Sequence, residues 1–159
     1  MNANLKRRVF LKGSVAAGTM GVAVGAGLLT PGAVMAAWPE KAFQARKTED
    51  ALSDLMGGSD TEEAADTIKI KAPDIAENGA VVPITVESSI NGIESIALLA
   101  SANGTPLVAS FNLGKGAEAF VSTRIKMGKT GDVIAVCKAG GKMFSARKGV
   151  KVTIGGCGG

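Results

Sequence analysis

The sequence contains no histidine, no tyrosine, one tryptophan and two cysteines, Cys137 and Cys157. Without histidine there is no Ser-His or Cys-His nucleophile pair and no imidazole ligand for a metal. Two widely separated cysteines with no Cys-x-x-Cys-His supply neither a zinc site nor a covalent c-type haem. The chain is therefore not expected to be an enzyme with its own complete site, and no catalytic residue, metal site or cofactor is assigned to it.

An excess of positive charge is also missing once the start of the chain is set aside. Lys6, Arg7, Arg8 and Lys12 account for the whole net charge of +4, the full tally being 18 basic against 14 acidic residues. The sequence pI of about 9.2 thus belongs to the first 36 residues, and the rest is neutral. Nucleic-acid binding, which needs clustered Lys and Arg against phosphates, is excluded on this ground. Acids concentrate between Glu40 and Glu94, and bases between Lys115 and Lys151. That polarity suits docking to charged protein partners and equally describes ordinary solvated faces.

The first 36 residues have the layout of an export signal: a basic start, a long uncharged run and a small-residue ending. Lys6-Arg7-Arg8-Val9-Phe10-Leu11-Lys12 resembles the twin-arginine motif Ser-Arg-Arg-x-Phe-Leu-Lys, differing only at the leading serine. Cleavage is expected after Ala36, with Val34 and Ala36 as the small residues. The alternative is an uncleaved anchor, since the run from Gly13 to Ala36 could span a bilayer; its glycines and the cleavage site favour the signal. The expected destination is the periplasm, with no stable membrane association.

Residues 37–159 have the length of one domain. Trp38-Pro39-Glu40 places proline and an acid at a helix start, and Gly57-Gly58 is a stop signal. Ala42, Ala45, Leu52, Leu55 and Met56 recur at helical spacing between them, which predicts one amphipathic helix. Ser59 with Glu62, or Asp60 with Glu63, forms a possible capping box for a second short helical turn. From Thr67 the period changes to two, beginning with Ile68-Lys69-Ile70-Lys71. Strands are predicted at 67–72, 80–89, 93–101, 106–112, 117–127, 132–139 and 142–154, divided by glycine turns. The fold class is all-β: an immunoglobulin-like antiparallel sandwich of about seven strands with an N-terminal helix. Gly140-Gly141 should form a tight hairpin that sets Cys137 opposite Phe144. Gly149 is expected to be a bulge that resets the alternation of the last strand. The predicted organisation is 1–36 signal, 37–66 helical segment, 67–154 sandwich and 155–159 tail.

The tail is the most informative segment. Val150-Lys151-Val152-Thr153-Ile154 is followed by Gly155-Gly156-Cys157-Gly158-Gly159, an ordered strand giving way to four glycines around one thiol. Glycine has the widest backbone freedom and no side chain, so this composition predicts a mobile, slim arm that presents Cys157. No Lys, Arg or His flanks the thiol, so a pKa near the ordinary ~8.5 is expected and activation must come from partners.

On the twin-arginine signal, the N-terminal helix, the predicted sandwich and the terminal Val-Lys-Val-Thr-Ile-Gly-Gly-Cys-Gly-Gly, the whole chain resembles the SoxY family, carrier subunits of bacterial sulfur oxidation. The resemblance implies a heterodimer with SoxZ and intermediates held covalently on Cys157, with Gly155, Gly156, Gly158 and Gly159 as the flexible arm. It further implies that a c-type cytochrome complex, SoxXA, conjugates thiosulfate to the thiol oxidatively. A hydrolase, SoxB, then releases sulfate, and, where present, a sulfane dehydrogenase oxidises the remaining persulfide sulfur.

Cys137 departs from a one-thiol pattern. It lies in the apolar run Asp132-Val133-Ile134-Ala135-Val136-Cys137 and is expected to behave as a small buried hydrophobe, with a redox or pairing role as the alternative. The expected register puts an internal disulfide out of reach. A ubiquitin-like carrier activated at a terminal Gly-Gly carboxylate needs cytoplasmic ATP, which the export signal and the cysteine near the end oppose. A purely protein-binding sandwich, with the tail as a disulfide tether, would keep its binding after Cys157→Ser. Lipid anchoring would require a cysteine directly after the signal, where Ala37 and Trp38 stand.

Overall fold

The computed structural model describes residues 38–153. Two short helices come first, α1 (Glu40–Gln44) and α2 (Thr48–Met56). Nine strands follow: β1 (Glu62–Glu63), β2 (Ile68–Lys71), β3 (Ile75–Ala76), β4 (Val82–Ser88), β5 (Ile93–Ala100), β6 (Leu107–Asn112), β7 (Phe120–Ile125), β8 (Gly131–Ala139) and β9 (Lys142–Val152). The seven longer strands are those predicted by period and turn chemistry. β1 and β3 are two-residue additions to one edge of β9.

One sheet runs β1-β9-β8-β5-β6, with β3 also on β9; the other runs β2-β4-β7. The two pack face to face as an immunoglobulin-like sandwich. Ile68, Val82, Ile84 and Val86 of the small sheet meet Ile96, Leu98, Val133, Ala135, Cys137 and Val150 of the large one. A second apolar layer lies on the outer face of the large sheet, where Ala42, Ala51, Leu52 and Met56 of the helices cover Ala97, Leu99, Ile134 and Val136. β5 and β8 are therefore buried on both faces. This is why they read as near-continuous apolar runs, whereas β2 and β4 alternate.

The helical segment differs from the single helix predicted. Ala45 is extended (φ −58°, ψ 142°), so the chain turns between α1 and α2. No apolar residue occurs from Arg46 to Asp50, and a continuous helix would press nothing onto the sheet over more than one turn. The Gly57 stop is as predicted, in the left-handed conformation at φ 83°, and the Lys138 ammonium donates to the Met56 carbonyl at 2.9 Å across the helix end.

The capping-box helix after Ser59 is not formed. Glu62 and Glu63 instead pair in parallel with Phe144 and Ser145. The β9 edge offers backbone partners there, Ala64 N–H donating to the Ser145 carbonyl at 2.8 Å, and the Thr61 and Ser145 hydroxyls share a hydrogen bond of 2.9 Å.

The Gly140-Gly141 hairpin has positive φ at both residues, 55° and 79°, and sets Cys137 opposite Phe144. The bulge predicted at Gly149 is absent, since β8 and β9 stay in register from Gly131↔Val150 to Ala139↔Lys142. Ala146, Lys148, Val150 and Val152 already share one face, so nothing needs resetting. The exception to the pattern is Lys148, whose amine reaches Asp74 at 2.8 Å. Irregularities occur in β5 instead, at Ile93/Ser95 against β8 and at Leu98/Leu99 against β6.

Candidate functional site

Arg7, Arg8, Gly155, Gly156, Cys157, Gly158 and Gly159 lie outside the described residues. What the structure describes is the place from which the cysteine-bearing tail departs: the end of β9 at Val152 and Thr153.

That end is held from both sides. On one side β3 runs parallel to it, pairing Ile75 with Lys151 and Ala76 with Val152. Lys151 N–H donates to the Asp74 carbonyl at 2.9 Å and Thr153 N–H to the Ala76 carbonyl at 3.1 Å. The Thr153 hydroxyl adds a bond to the Glu77 carbonyl at 3.2 Å. The Lys148 ammonium, hydrogen-bonded to Asp74 and opposite to it in charge, holds that carboxyl below its ordinary pKa. On the other side β8 pairs no further than Val150, and a side chain takes over. Thr130 Oγ1 accepts from Val152 N–H at 2.9 Å and donates to the Val152 carbonyl at 3.3 Å.

The loops around this exit are tied to one another. Met127 N–H donates to the Gly79 carbonyl at 2.7 Å. The Asn103 amide donates to the Lys126 carbonyl at 2.8 Å while its oxygen accepts from Gly128 N–H at 2.9 Å. Gly79 is required by close approach rather than by φ: a Cβ there would collide with the Met127 carbonyl oxygen and stand 2.7 Å from Val152 Cγ1. The result is a hydrogen-bonded collar fixing the chain direction up to Thr153.

The glycine turns expected between the strands carry no mark of these contacts, and neither Thr130 nor Asp74 has a local signal. The adjacency of Gly79 to Val152 depends on how β3, β4 and β9 assemble, and no local pattern carries it. An open groove of about 810 Å³ between loops 88–94 and 113–120 lies at the opposite end of the sandwich from Thr153. Among the described residues, no cluster of three or more Cys, Asp or Glu side chains could hold a metal ion.

Cys137 is the second predicted feature, and the structure puts it in the sandwich core. It is 0% exposed, lies in central strand β8 between Ile96 of β5 and Phe144 of β9, and burial pushes its thiol pKa up to about 11. Thr153 is nine residues beyond Phe144 along the chain, roughly 30 Å at ~3.3 Å per residue. The four residues from Thr153 to Cys157 span at most ~14 Å. The remaining gap exceeds the ~7 Å between Cα atoms that a disulfide tolerates, so the two cysteines cannot pair within one folded chain.

Residues 52–157 match the family described as sulfur oxidation protein SoxY, the match ending on Cys157. Among solved structures, the sulfur carrier protein SoxY from Chlorobium limicola f thiosulfatophilum is 44% identical. It covers 68% of this chain and 97% of its own, with a TM-score of 0.62. A superoxide reductase (neelaredoxin) from Ignicoccus hospitalis is 23% identical over 55% of this chain and 80% of its own, with a TM-score of 0.49. That likeness is too remote to bear on function. No curated protein sequence matches the chain.

Proposed function

The chain belongs to the SoxY family of sulfur-oxidation carrier proteins, and we propose accordingly that it is an exported carrier holding thiosulfate-derived sulfur on Cys157. The observation that carries the assignment of the thiol is the burial of the alternative. Cys137 has no exposed surface and a thiol pKa of about 11, so neither a partner enzyme nor a useful fraction of thiolate can reach it in the folded protein. That leaves Cys157, on which the family match ends.

The cycle begins when a c-type cytochrome complex, SoxXA, joins the Cys157 sulfur to the outer sulfur of thiosulfate. The thiol proton leaves, one S–S bond forms and two electrons pass to the cytochrome haems. A hydrolase, SoxB, next directs water to the terminal sulfone sulfur; the bond from it to the neighbouring sulfur breaks, sulfate and a proton depart, and a persulfide stays on Cys157. Where a sulfane dehydrogenase is present, it oxidises the outer sulfur with water as oxygen source and passes the electrons to an acceptor. Covalent attachment keeps each reactive intermediate from diffusing away. Gly155, Gly156, Gly158 and Gly159 put no side chain beside the sulfur, which lets one thiol enter several different active sites.

The carrier works as a heterodimer with SoxZ in the periplasm, reached by the twin-arginine route through Arg7 and Arg8. Twin-arginine export moves folded proteins, so a partner without a signal can cross already bound.

The test is thiosulfate-dependent reduction of the cytochrome complex with this protein as the acceptor of sulfur. Cys137→Ala should support reduction at the wild-type rate and Cys157→Ser should support none. Reduction that survives in Cys157→Ser would overturn the proposal.

A further inference from the structure

The two ends of the sandwich differ in charge, and β9 runs out at a particular one. Around the exit, Lys126, Lys129 and Lys151 are exposed, and the Arg46 guanidinium lies beside Gly104 of the neighbouring loop. The acids at this end are Glu77, Asp132 and an Asp74 already paired with Lys148 at 2.8 Å, so unpaired bases outnumber unpaired acids. At the opposite end the balance reverses. Asp60, Glu63, Asp66, Glu94 and Glu118 are exposed there, against Lys69, Lys115, a half-buried Lys138 held by the Met56 carbonyl and a Lys142 already paired with Glu62 at 3.3 Å. The exit end also carries two of the large apolar side chains left in solvent, Ile75 at 58% and Val81 at 50% exposure. Ile75 sits directly across from Lys151 in the β3–β9 pairing.

We propose that this end is the docking face for the enzymes that act on Cys157, and that it takes a protein surface whose arm-admitting entrance is rimmed by carboxylates. The inference rests on the carrier reading. Exposed apolar residues ringed by charge have the composition of a small transient interface, and the collar of Gly79, Asn103 and Thr130 makes the surface a preformed one. A charge difference between the two ends of the sandwich turns the basic end toward an acidic partner before contact, which raises the encounter rate more than it tightens the complex. The arm is thereby aimed at the entrance. Cys157 lies within ~14 Å of Thr153 along the chain, so an encounter at the far end would leave the thiol out of reach.

The test uses the mature protein with the thiosulfate-conjugating cytochrome complex. The Lys126→Glu, Lys129→Glu double variant should lower kcat/KM by about tenfold at low ionic strength, leave kcat unchanged, and converge on wild type as salt screens the charges. The Lys115→Glu, Lys142→Glu variant, at the opposite end, should stay within about twofold of wild type. Alkylation of Cys157 by neutral iodoacetamide should be equal in all three, which checks that fold and arm are intact. The inference is overturned if the exit-end reversals leave kcat/KM unchanged, or if both pairs act alike. It is also overturned if the exit-end reversals slow attack on the small anionic disulfide of Ellman's reagent as much as they slow the enzyme, since the lysines would then serve anions in general. A wild type that is not loaded at any ionic strength overturns the carrier reading itself, whereas loading indifferent to the reversals overturns this inference alone.

Discussion

Thr130 satisfies both backbone polar groups of Val152, accepting from its amide at 2.9 Å and donating to its carbonyl at 3.3 Å. The β8 ladder stops at Gly131↔Val150, so the side chain substitutes for the next rung. The last turn of support before the cysteine-bearing tail is thus a single hydroxyl on one side and a two-residue strand on the other.

Thr130→Val keeps the shape of the side chain and removes both bonds. Because Thr130 is exposed, water can replace them, and the expected loss of global stability is only ~1 kcal/mol. The local effect should be larger: hydrogen exchange at the Val152 amide should accelerate while that of Val136, in the core, does not. Unchanged exchange at Val152 would show that β3 alone holds the end of β9.

Gly79→Val should cost more. Gly79 does not adopt a left-handed φ, so the penalty is steric, from the Met127 carbonyl and Val152 Cγ1. Overpacking of this kind costs ~1–3 kcal/mol, and denaturant unfolding should read it as a lower midpoint with unchanged slope. Wild-type stability in this variant would mean that the collar is soft.

Cys137→Ala should lower stability by about 1–2 kcal/mol, as expected for losing a small buried group, and leave sulfur loading intact. The raised thiol pKa adds a pH signature. Against an ordinary value of 9.0, the folded-state value is about 11, so burial favours the protonated thiol. That contribution is complete below about pH 9 and is lost as pH rises toward 11. Wild type should therefore lose stability over this window more steeply than Cys137→Ala, a comparison in which lysine titration cancels. Parallel curves would contradict burial of the thiol.

Much of this fold is legible in the sequence, for identifiable reasons. The change from helical to period-two spacing at Thr67 locates the start of the sandwich, and Gly140-Gly141 sets the β8–β9 register, hence the burial of Cys137. The misreadings have a common cause in tertiary packing. Glu62 and Glu63 look like capping-box acids but lie along the free edge of β9, and Ala45 looks helical until the sheet requires the chain to turn. Gly149, a glycine inside the last strand, looks like a bulge that resets the alternation, but no reset is needed because the charge of Lys148 is met by Asp74, 74 residues earlier in sequence. Thr130 carries no local signal, since an exposed threonine after a lysine resembles any other turn. The hydrogen-bonded collar at the end of β9 could not be read locally and needed the fold.

Bulk beside the thiol should be worse than loss of the residues beyond it. Gly156→Trp should nearly abolish conjugation with unfolding behaviour unchanged, whereas a chain ending at Cys157 should retain more activity. Normal turnover by Gly156→Trp would show that the thiol does not enter a narrow site.

On the proposed function, sulfur is carried on Cys157 and on no other residue of the chain. Intact mass of the mature protein after incubation with thiosulfate and the conjugating cytochrome, followed by peptide mapping without reductant, tests it directly. The expected result is an increment of one thiosulfate confined to the Cys157 peptide, removable by reductant, with the Cys137 peptide unmodified. Sulfur on the Cys137 peptide, or an increment that persists in Cys157→Ser, would contradict it.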